Sequence, residues 1–459
     1  MYRSAKAYAL ISVFAVLLYS GALLLPDAGG TAVAQSKKQD KKDSKAPMEG
    51  RKTQALSKRV YELITEANEK VDAEDYAGAV ILLDKIKAMP KLSAYETAQL
   101  YTFYGFLYFN AEQYDKAIKA YNTVLSQPEL PPAIFQQTIR TLSQLAFVTE
   151  DYQLAIKYAN QYMETVGPEP DMYVIIGTAY YQMASDKGDK ATTADYDKVI
   201  VPVEKAIALA DERGTSVKEQ WWLLLRVAYW EKDDYRKVRD ILEILVVNWP
   251  KKEYWTQLSG MYGELKDERK QLSAYEAAYD QGLLVKSAEL IQMAQLFMQA
   301  EVPYKGARVL EKGLEAKIIE RDVRNLRLQS QAWQLAQEDR KAIPPLKEAA
   351  GLSDDGELFA RLAQSHLNLS EYKSCVAASG KALNKGGLKN KGNTYLIQGM
   401  CQFELDKLGE AKASFRQAAK SEKVAKNARS WISYVESEES RLKQLEQSLK
   451  MVEEGFQAI

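Results

Sequence analysis

A recurring pattern of small and aromatic residues constrains this chain more than any other feature. In the stretch YGFLYFNAEQYDKAIKAYNTVL, Gly105 is followed at set intervals by Tyr108, Ala117 and Tyr121. Two antiparallel helices cross closely only where small residues meet, and rings on either side fill the space around the crossing. The spacing therefore predicts a helical hairpin in which Gly105 and Ala117 lie at the crossing.

The same spacing returns along the chain. Strong copies lie at residues 221–250, 254–282 and 395–420, and weaker ones are centred on Ala67/Ala79, Ser143/Ala155, Gln295/Ala307, Gln331/Ile343 and Ala363/Cys375. Another begins at Gly177 and is stretched by residues 185–195, which we interpret as an enlarged turn. One match means little, but about ten matches in register predict helical pairs throughout residues 56–420.

This pattern resembles the tetratricopeptide repeat (TPR), a helix-turn-helix unit of about 34 residues. The resemblance implies an all-α fold, a right-handed α-solenoid of about ten TPR-like units whose first helices line a concave groove for extended peptides or partner helices. Some TPR proteins clamp a carboxylate with lysines and asparagines in that groove. The matching positions here hold Thr102 and Phe106, which disfavours such a clamp.

An aromatic stripe marks the candidate partner-binding groove. In the TPR family, the position after the consensus tyrosine helps to line the groove, and in four successive units here it holds Phe109, Phe147, Tyr181 and Trp230. The next two units have Gly263 and Gln299 there, so the stripe ends. Exposed aromatic rings are strong binding anchors. The alternative is that these rings pack as ordinary core.

The N-terminus is typical of an exported protein. Residues 1–34 combine a basic start, an apolar run (Ala7 to Leu25) and a small-residue site ending at Ala34, which together predict a cleaved signal peptide and a periplasmic protein. The run is also long enough for an uncleaved inner-membrane anchor facing the periplasm. The lysine-rich residues 35–55 predict a charged flexible tether, whose aspartates weaken any contact with anionic lipid.

Composition argues against catalysis, metal binding and nucleic-acid binding. The chain has 62 basic and 62 acidic residues, a single histidine (His366) and two cysteines. It has no phosphate-binding glycine loop and no zinc-protease motif. We therefore predict a protein that is not an enzyme, needs no cofactor and binds other proteins. Cys375 and Cys401 lie in adjacent units and could form a disulfide in an oxidising periplasm or serve as small core residues.

Residues 421–459 predict a C-terminal capping helix with a short heptad segment. Trp431 and Tyr434 could cover the end of the repeat array. Beyond them, apolar residues follow a heptad seam, formed by Val435, Leu442, Leu445, Leu449 and Val452. Two interpretations follow: a helix that simply extends into solvent, or a coiled coil that pairs two copies of the chain.

A finer resemblance suggests a function. The block from Trp249 to Leu284, with the signal segment and lysine tether, is similar to exported TPR proteins associated with TonB energy-transduction systems of Gram-negative bacteria. That resemblance implies a non-enzymatic periplasmic scaffold that assists TonB-dependent uptake of iron or siderophores by contacting TonB-complex components. The alternative is a scaffold for cell-envelope assembly or polysaccharide export, which would use the same groove.

Overall fold

The structure, a computed structural model, describes residues 55–457, with side chains to residue 451. The predicted signal peptide (1–34) and residues 35–54 of the predicted tether lie outside the described residues. Within the described part the chain contains helices and no strand. None of the helices in this part has the length and apolar character that crossing a bilayer requires.

The helices form ten consecutive antiparallel pairs, and we call the first helix of each pair its A helix and the second its B helix. The first five pairs are α1 (Lys58–Asp72) with α2 (Tyr76–Lys87), α3 (Ala94–Asn110) with α4 (Tyr114–Leu125), α5 (Pro132–Val148) with α6 (Tyr152–Val166), α7 (Pro170–Lys187) with α8 (Thr193–Glu212), and α9 (Glu219–Glu231) with α10 (Tyr235–Asn248). A short 3₁₀ helix, Gly188–Lys190, separates α7 from α8.

The other five pairs are α11 (Lys252–Glu264) with α12 (Glu268–Asp280), α13 (Ser287–Gln299) with α14 (Pro303–Glu315), α15 (Val323–Leu335) with α16 (Asp339–Leu352), α17 (Glu357–Asn368) with α18 (Tyr372–Lys385), and α19 (Lys391–Phe403) with α20 (Leu408–Ala418). A long final helix, α21 (Ala425–Gln457), follows the last pair. This all-α solenoid of TPR-like pairs with a C-terminal helix confirms the predicted fold class.

A single type of turn joins the A and B helices in nine of the ten pairs. In each of these turns one non-glycine residue adopts a left-handed conformation, with φ between 56° and 61°. In the first pair this residue is Glu74, whose N–H donates to the Val71 carbonyl, while the N–H of Asp75 donates to the Lys70 carbonyl. These bonds satisfy the last carbonyls of the A helix and reverse the chain, so that the B helix starts at once.

Small residues allow the helices of a pair to approach closely. A Cβ atom built on Gly105 of α3 would lie 2.6 Å from the Tyr121 ring of α4. Gly399 of α19 stands in the same relation to Phe415 of α20, also at 2.6 Å. Ala117, on the other side of the first crossing, is fully buried. Both crossings therefore hold an aromatic ring where a side chain on the glycine would clash.

The chain divides into two compact units, which we call unit 1 (to Leu245) and unit 2 (from Val246). In unit 1, successive pairs share apolar cores that include Leu100, Leu107 and Leu142. In unit 2, a core that includes Trp333 spans α12 to α19. Pairs that share a core within a unit therefore depend on one another for the burial of their apolar faces.

The beginning of α21 closes the end of unit 2. The Trp431 ring stacks on the buried Phe415 ring, with centroids 5.3 Å apart, and Val435 is fully buried. Lys412 of α20 donates to the Glu439 carboxylate at 2.6 Å. From Ser440 to Met451 every residue of α21 is exposed, so the helix leaves the body of the unit after Glu439.

Candidate functional site

The predicted aromatic stripe lies along one edge of unit 1. Its four residues stand near the C-terminal ends of the A helices α3, α5, α7 and α9. Because A helices of successive pairs run in the same direction, these ends lie at the same edge. Phe109, Phe147 and Tyr181 are half-buried, whereas Trp230 is 42% exposed. That the stripe binds a partner stays a prediction.

Three of the four rings have an aromatic partner on the B helix that follows. The centroid distances are 5.9 Å for Phe109–Tyr114, 5.5 Å for Phe147–Tyr152 and 5.5 Å for Trp230–Tyr235. The rings of each pair are inclined by 57° to 61°, a favourable arrangement of their quadrupoles. The sequence reasoning missed these tyrosines, although each lies five residues after a stripe residue.

The buried core of unit 1 supports two of the three ring pairs. Phe109, Tyr114, Phe147 and Tyr152 all pack against this core while part of each ring stays accessible. Each ring is therefore both a core contact and a surface element, so the two interpretations weighed from the sequence are not exclusive. Since the core fixes the ring positions, little side-chain entropy remains to be lost when a partner binds.

The fourth pair interrupts this arrangement. The segment interpreted as an enlarged turn (residues 185–195) is mostly helical, because α7 continues to Lys187 and only Gly188 to Thr192 separate it from α8. The residue five positions after Tyr181 is Asp186, so Tyr181 has no aromatic partner there. In the same pair, the Tyr196 hydroxyl of α8 donates a hydrogen bond to the Glu231 carboxylate at 3.4 Å. Burial, followed by the Glu231 charge, raises the pKa of the Tyr181 phenol.

In the sequence, a carboxylate residue lies on the turn between the two aromatic residues of each pair. The left-handed residue of the turn is Glu112 between Phe109 and Tyr114, Glu150 between Phe147 and Tyr152, and Asp233 between Trp230 and Tyr235. All three carboxylate residues are exposed. Asp233 accepts a hydrogen bond from the Tyr235 hydroxyl at 2.9 Å. Glu112 and Glu150 form no ion pair within the part of the chain that the structure describes. We call the three ring pairs with these carboxylates the acidic aromatic edge.

The two cysteines are joined in unit 2. Cys375 of α18 and Cys401 of α19 form a disulfide, their Cα atoms lie 6.2 Å apart, and both residues are fully buried. The bond therefore ties the B helix of one pair to the A helix of the next. In the same region the Nδ1 atom of His366 lies 2.7 Å from a Glu371 carboxylate oxygen.

The described residues offer no cluster of three or more histidine, cysteine or acidic side chains that could hold a metal ion. A pocket of about 310 Å³ in unit 1 has mainly apolar walls, from Ile207, Leu225 and Ile241. On its rim the Tyr229 hydroxyl donates a hydrogen bond to the Glu204 carboxylate at 2.6 Å. This carboxylate therefore fixes the Tyr229 ring in the pocket wall.

Comparisons with known proteins give only distant likenesses. No protein-family model matches the chain, and no curated protein does. Similar solved structures include a tetratricopeptide repeat protein from Parabacteroides merdae, 14% identical over 68% of this chain and 100% of that one, at a TM-score of 0.34. YrrB, described as a TPR protein with an unusual peptide-binding site, is 12% identical over 41% of this chain and 96% of its own, at 0.33.

One chain in the structure of the APC/C hetero-tetramer Cut9–Hcn1 is 13% identical to this chain, over 82% of this chain and 83% of the other, at a TM-score of 0.28. At such scores the superpositions are loose. The fold assignment therefore rests on the helix pairs of this chain.

Proposed function

We propose that this protein is a non-enzymatic, exported scaffold whose acidic aromatic edge binds a basic, extended segment of a partner protein. The observation that carries the proposal is one motif that recurs in three of four successive pairs of unit 1: two inclined rings in contact, with an exposed carboxylate residue on the turn that joins their helices. A surface that repeats along a row suits a ligand that is itself extended and repetitive.

The chemistry of the motif selects for cations. Lysine and arginine interact favourably with the faces of aromatic rings and with carboxylates, and their alkyl stems can lie along the rings. Glu112 and Glu150 are exposed and have no cationic partner among the described residues, so a basic segment would meet uncompensated negative charge. An acidic segment would be repelled at the same places.

The location proposed for this scaffold is the periplasm. The predicted signal peptide supports export, and the buried Cys375–Cys401 disulfide is the kind of bond that persists in oxidising compartments. The resemblance of residues 249–284 to exported TPR proteins of TonB systems supports a finer proposal. On that basis the partner is a component of the TonB complex, and the role is assistance of TonB-dependent uptake of iron or siderophores.

Peptide binding tests the edge directly. We expect a fluorescent lysine–proline repeat peptide to bind the purified protein, its glutamate counterpart to fail, and affinity to fall as salt rises. The double variant Glu112→Lys, Glu150→Lys should bind the lysine peptide about tenfold more weakly, because attraction becomes repulsion at two contacts.

A matched control is available elsewhere on the surface of unit 1. Glu129, in a B-to-A turn, is also exposed and left-handed (φ 53°), and Glu164 is exposed on α6. The variant Glu129→Lys, Glu164→Lys makes the same change of net charge away from the edge and should bind normally. Equal weakening in both double variants would show that only net charge matters, and the edge would be rejected.

Crosslinking in intact, iron-starved cells tests the finer proposal. Wild type would be compared with a folded variant that carries Phe109→Ala, Phe147→Ala, Tyr181→Ala and Trp230→Ala. TonB-complex proteins captured by wild type and lost from the variant would support the transport role. Capture of envelope-assembly or polysaccharide-export proteins instead would favour the alternative scaffold.

A further inference from the structure

The free part of α21 presents an unpartnered row of leucines. Leu442, Leu445 and Leu449 are 40%, 48% and 56% exposed, and their spacing of three and four residues places them on one face of the helix. Val435, one heptad before Leu442, belongs to the same seam and is fully buried against unit 2. The seam thus continues from a covered segment into an uncovered one.

The heptad positions define what could cover these leucines. With Leu442 and Leu449 at position a and Leu445 at d, the flanking g and e positions hold Arg441 and Glu446. In two parallel helices in register, a residue at g faces the e residue of the following heptad on the other helix. Arg441 of each copy would therefore meet Glu446 of the other copy, which gives two attractive contacts.

An antiparallel arrangement lacks this complementarity. There, e positions face e positions, and the e position of the free segment holds Glu446. Carboxylates would then meet across the seam and repel each other. The charge pattern of α21 is complementary to a second copy of itself in the parallel orientation only.

We propose that this protein forms a parallel homodimer through α21 from Leu442 onward. Two ion pairs already form within each α21 helix: Arg441 contacts Glu438 at 2.9 Å, and Lys450 contacts Glu446 at 3.1 Å. Such surface pairs contribute little, and a guanidinium has donors enough to contact Glu438 and a second carboxylate together. Val452, the last predicted seam residue, lies beyond the described side chains and is not needed for the argument.

The dimer would double the binding edges on one assembly. Two copies joined through their α21 helices would engage two sites on one partner, or two partners. This would raise the apparent affinity without any new contact. This inference does not depend on the acidic aromatic edge, because it uses different residues of a different unit.

The first test is mass in solution over a range of protein concentrations, by light scattering or sedimentation. Wild type should reach the mass of two chains, and Leu442→Lys with Leu449→Lys should have the mass of one. The control is Met451→Lys at position c of the same helix, 66% exposed and off the seam, which should stay dimeric. A single-chain mass for wild type at every concentration, or equal disruption by the control, would overturn the proposal.

The second test addresses orientation. Arg441→Glu alone or Glu446→Arg alone should raise the dimer dissociation constant about tenfold, since two attractive contacts become repulsive. Mixing the two variants should restore dimers, because opposite charges again meet at both contacts of a parallel pair. If the mixture dissociates as readily as each variant, the parallel register is wrong. Circular dichroism of each variant checks that its helices are intact.

Discussion

At the scale of single residues, the Glu96 carboxylate joins the starts of two A helices. It accepts a hydrogen bond at 3.0 Å from the N–H of Ser93, the residue before α3. It accepts another at 3.1 Å from the N–H of Ser57, the residue before α1. The Glu96 N–H in turn donates to the Ser93 hydroxyl, so the two residues form a capping box. Burial alone would raise the pKa of this carboxyl, but the hydrogen bonds outweigh it and hold the pKa below its ordinary value.

We predict that Glu96→Gln lowers the free energy of unfolding by about 1–2 kcal/mol at neutral pH, because charge-assisted hydrogen bonds to two helix N-termini are lost. A carboxyl with a lowered pKa contributes stability above the pKa of the unfolded chain and loses it as pH falls through the folded-state value. The difference between wild type and variant should therefore shrink below about pH 4.

Denaturant unfolding at neutral and acidic pH measures this difference. Glu62→Gln is the control, since Glu62 lies on the exposed surface of α1, where it forms ion pairs with Lys58 and Arg59 of the same helix. If the difference in unfolding free energy between wild type and Glu96→Gln stayed constant down to acidic pH, the assigned role of the Glu96 charge would be wrong.

At the scale of elements, glycines differ according to where they lie on a helix. Gly105 faces the Tyr121 ring, whereas Gly260, in the middle of α11, is exposed and has no atom within 4 Å of the place that a Cβ atom would occupy. Gly105→Ala should destabilise unit 1 by about 1–3 kcal/mol through overpacking. Gly260→Ala should stabilise unit 2 by about 0.5–1 kcal/mol through reduced backbone entropy of the unfolded chain.

Thermal and denaturant unfolding of the two alanine variants would check the opposite signs. The comparison is matched because both variants make the same substitution inside an A helix. If Gly260→Ala also lost stability, the loss in Gly105→Ala could not be assigned to the close helix crossing at Gly105.

The repeat spacing was sufficient to predict the element order. It gave the ten pairs and the closing helix, because contacts within a helical pair lie close in sequence and leave a local pattern. At residues 185–195 it overestimated the extent of the enlarged turn: the connection is longer than the three- or four-residue turns of the other pairs, but it comprises only Gly188 to Thr192. α7 continues into this segment as far as Lys187, and α8 begins at Thr193 with a capping box formed by Thr192 and Asp195.

At the scale of the whole molecule, tyrosines are buried in both units. Burial, followed by the charge of a neighbouring glutamate, raises the pKa of Tyr196 in unit 1 and of Tyr275 in unit 2 to about 12. Between about pH 10 and pH 12 these phenols keep their protons in the folded chain and lose them in the unfolded chain. The unfolded state is therefore favoured progressively as pH rises through this window.

We predict a marked loss of stability between about pH 10 and pH 12, and a smaller loss in the variants Tyr196→Phe and Tyr275→Phe. Unfolding followed by circular dichroism, together with phenolate absorbance, measures it. Tyr61→Phe is the control, since Tyr61 is 41% exposed. A titration in which all tyrosines ionise near their ordinary pKa while the chain stays folded would contradict the prediction.

The helical pairs, their order and the small residues at their crossings could all be predicted from the repeat spacing, because periodicity and close crossing are properties of a short stretch of chain. Only the tertiary structure decided which rings stay accessible. Phe109 and Trp230 occupy the same repeat position, yet one is half-buried and the other exposed. Exposure depends on how each pair packs against its neighbours, which no single repeat encodes.

The same division applies to the cysteines and to the heptad seam. Sequence spacing allowed a disulfide, but the approach of Cys375 and Cys401 depends on the packing of α18 against α19. The seam includes both Val435 and Leu442, whereas the structure buries Val435 and leaves Leu442 exposed, because α21 leaves the last helical pair after Glu439. Local patterns fix which face of a helix is apolar, and long-range packing fixes what, if anything, covers that face.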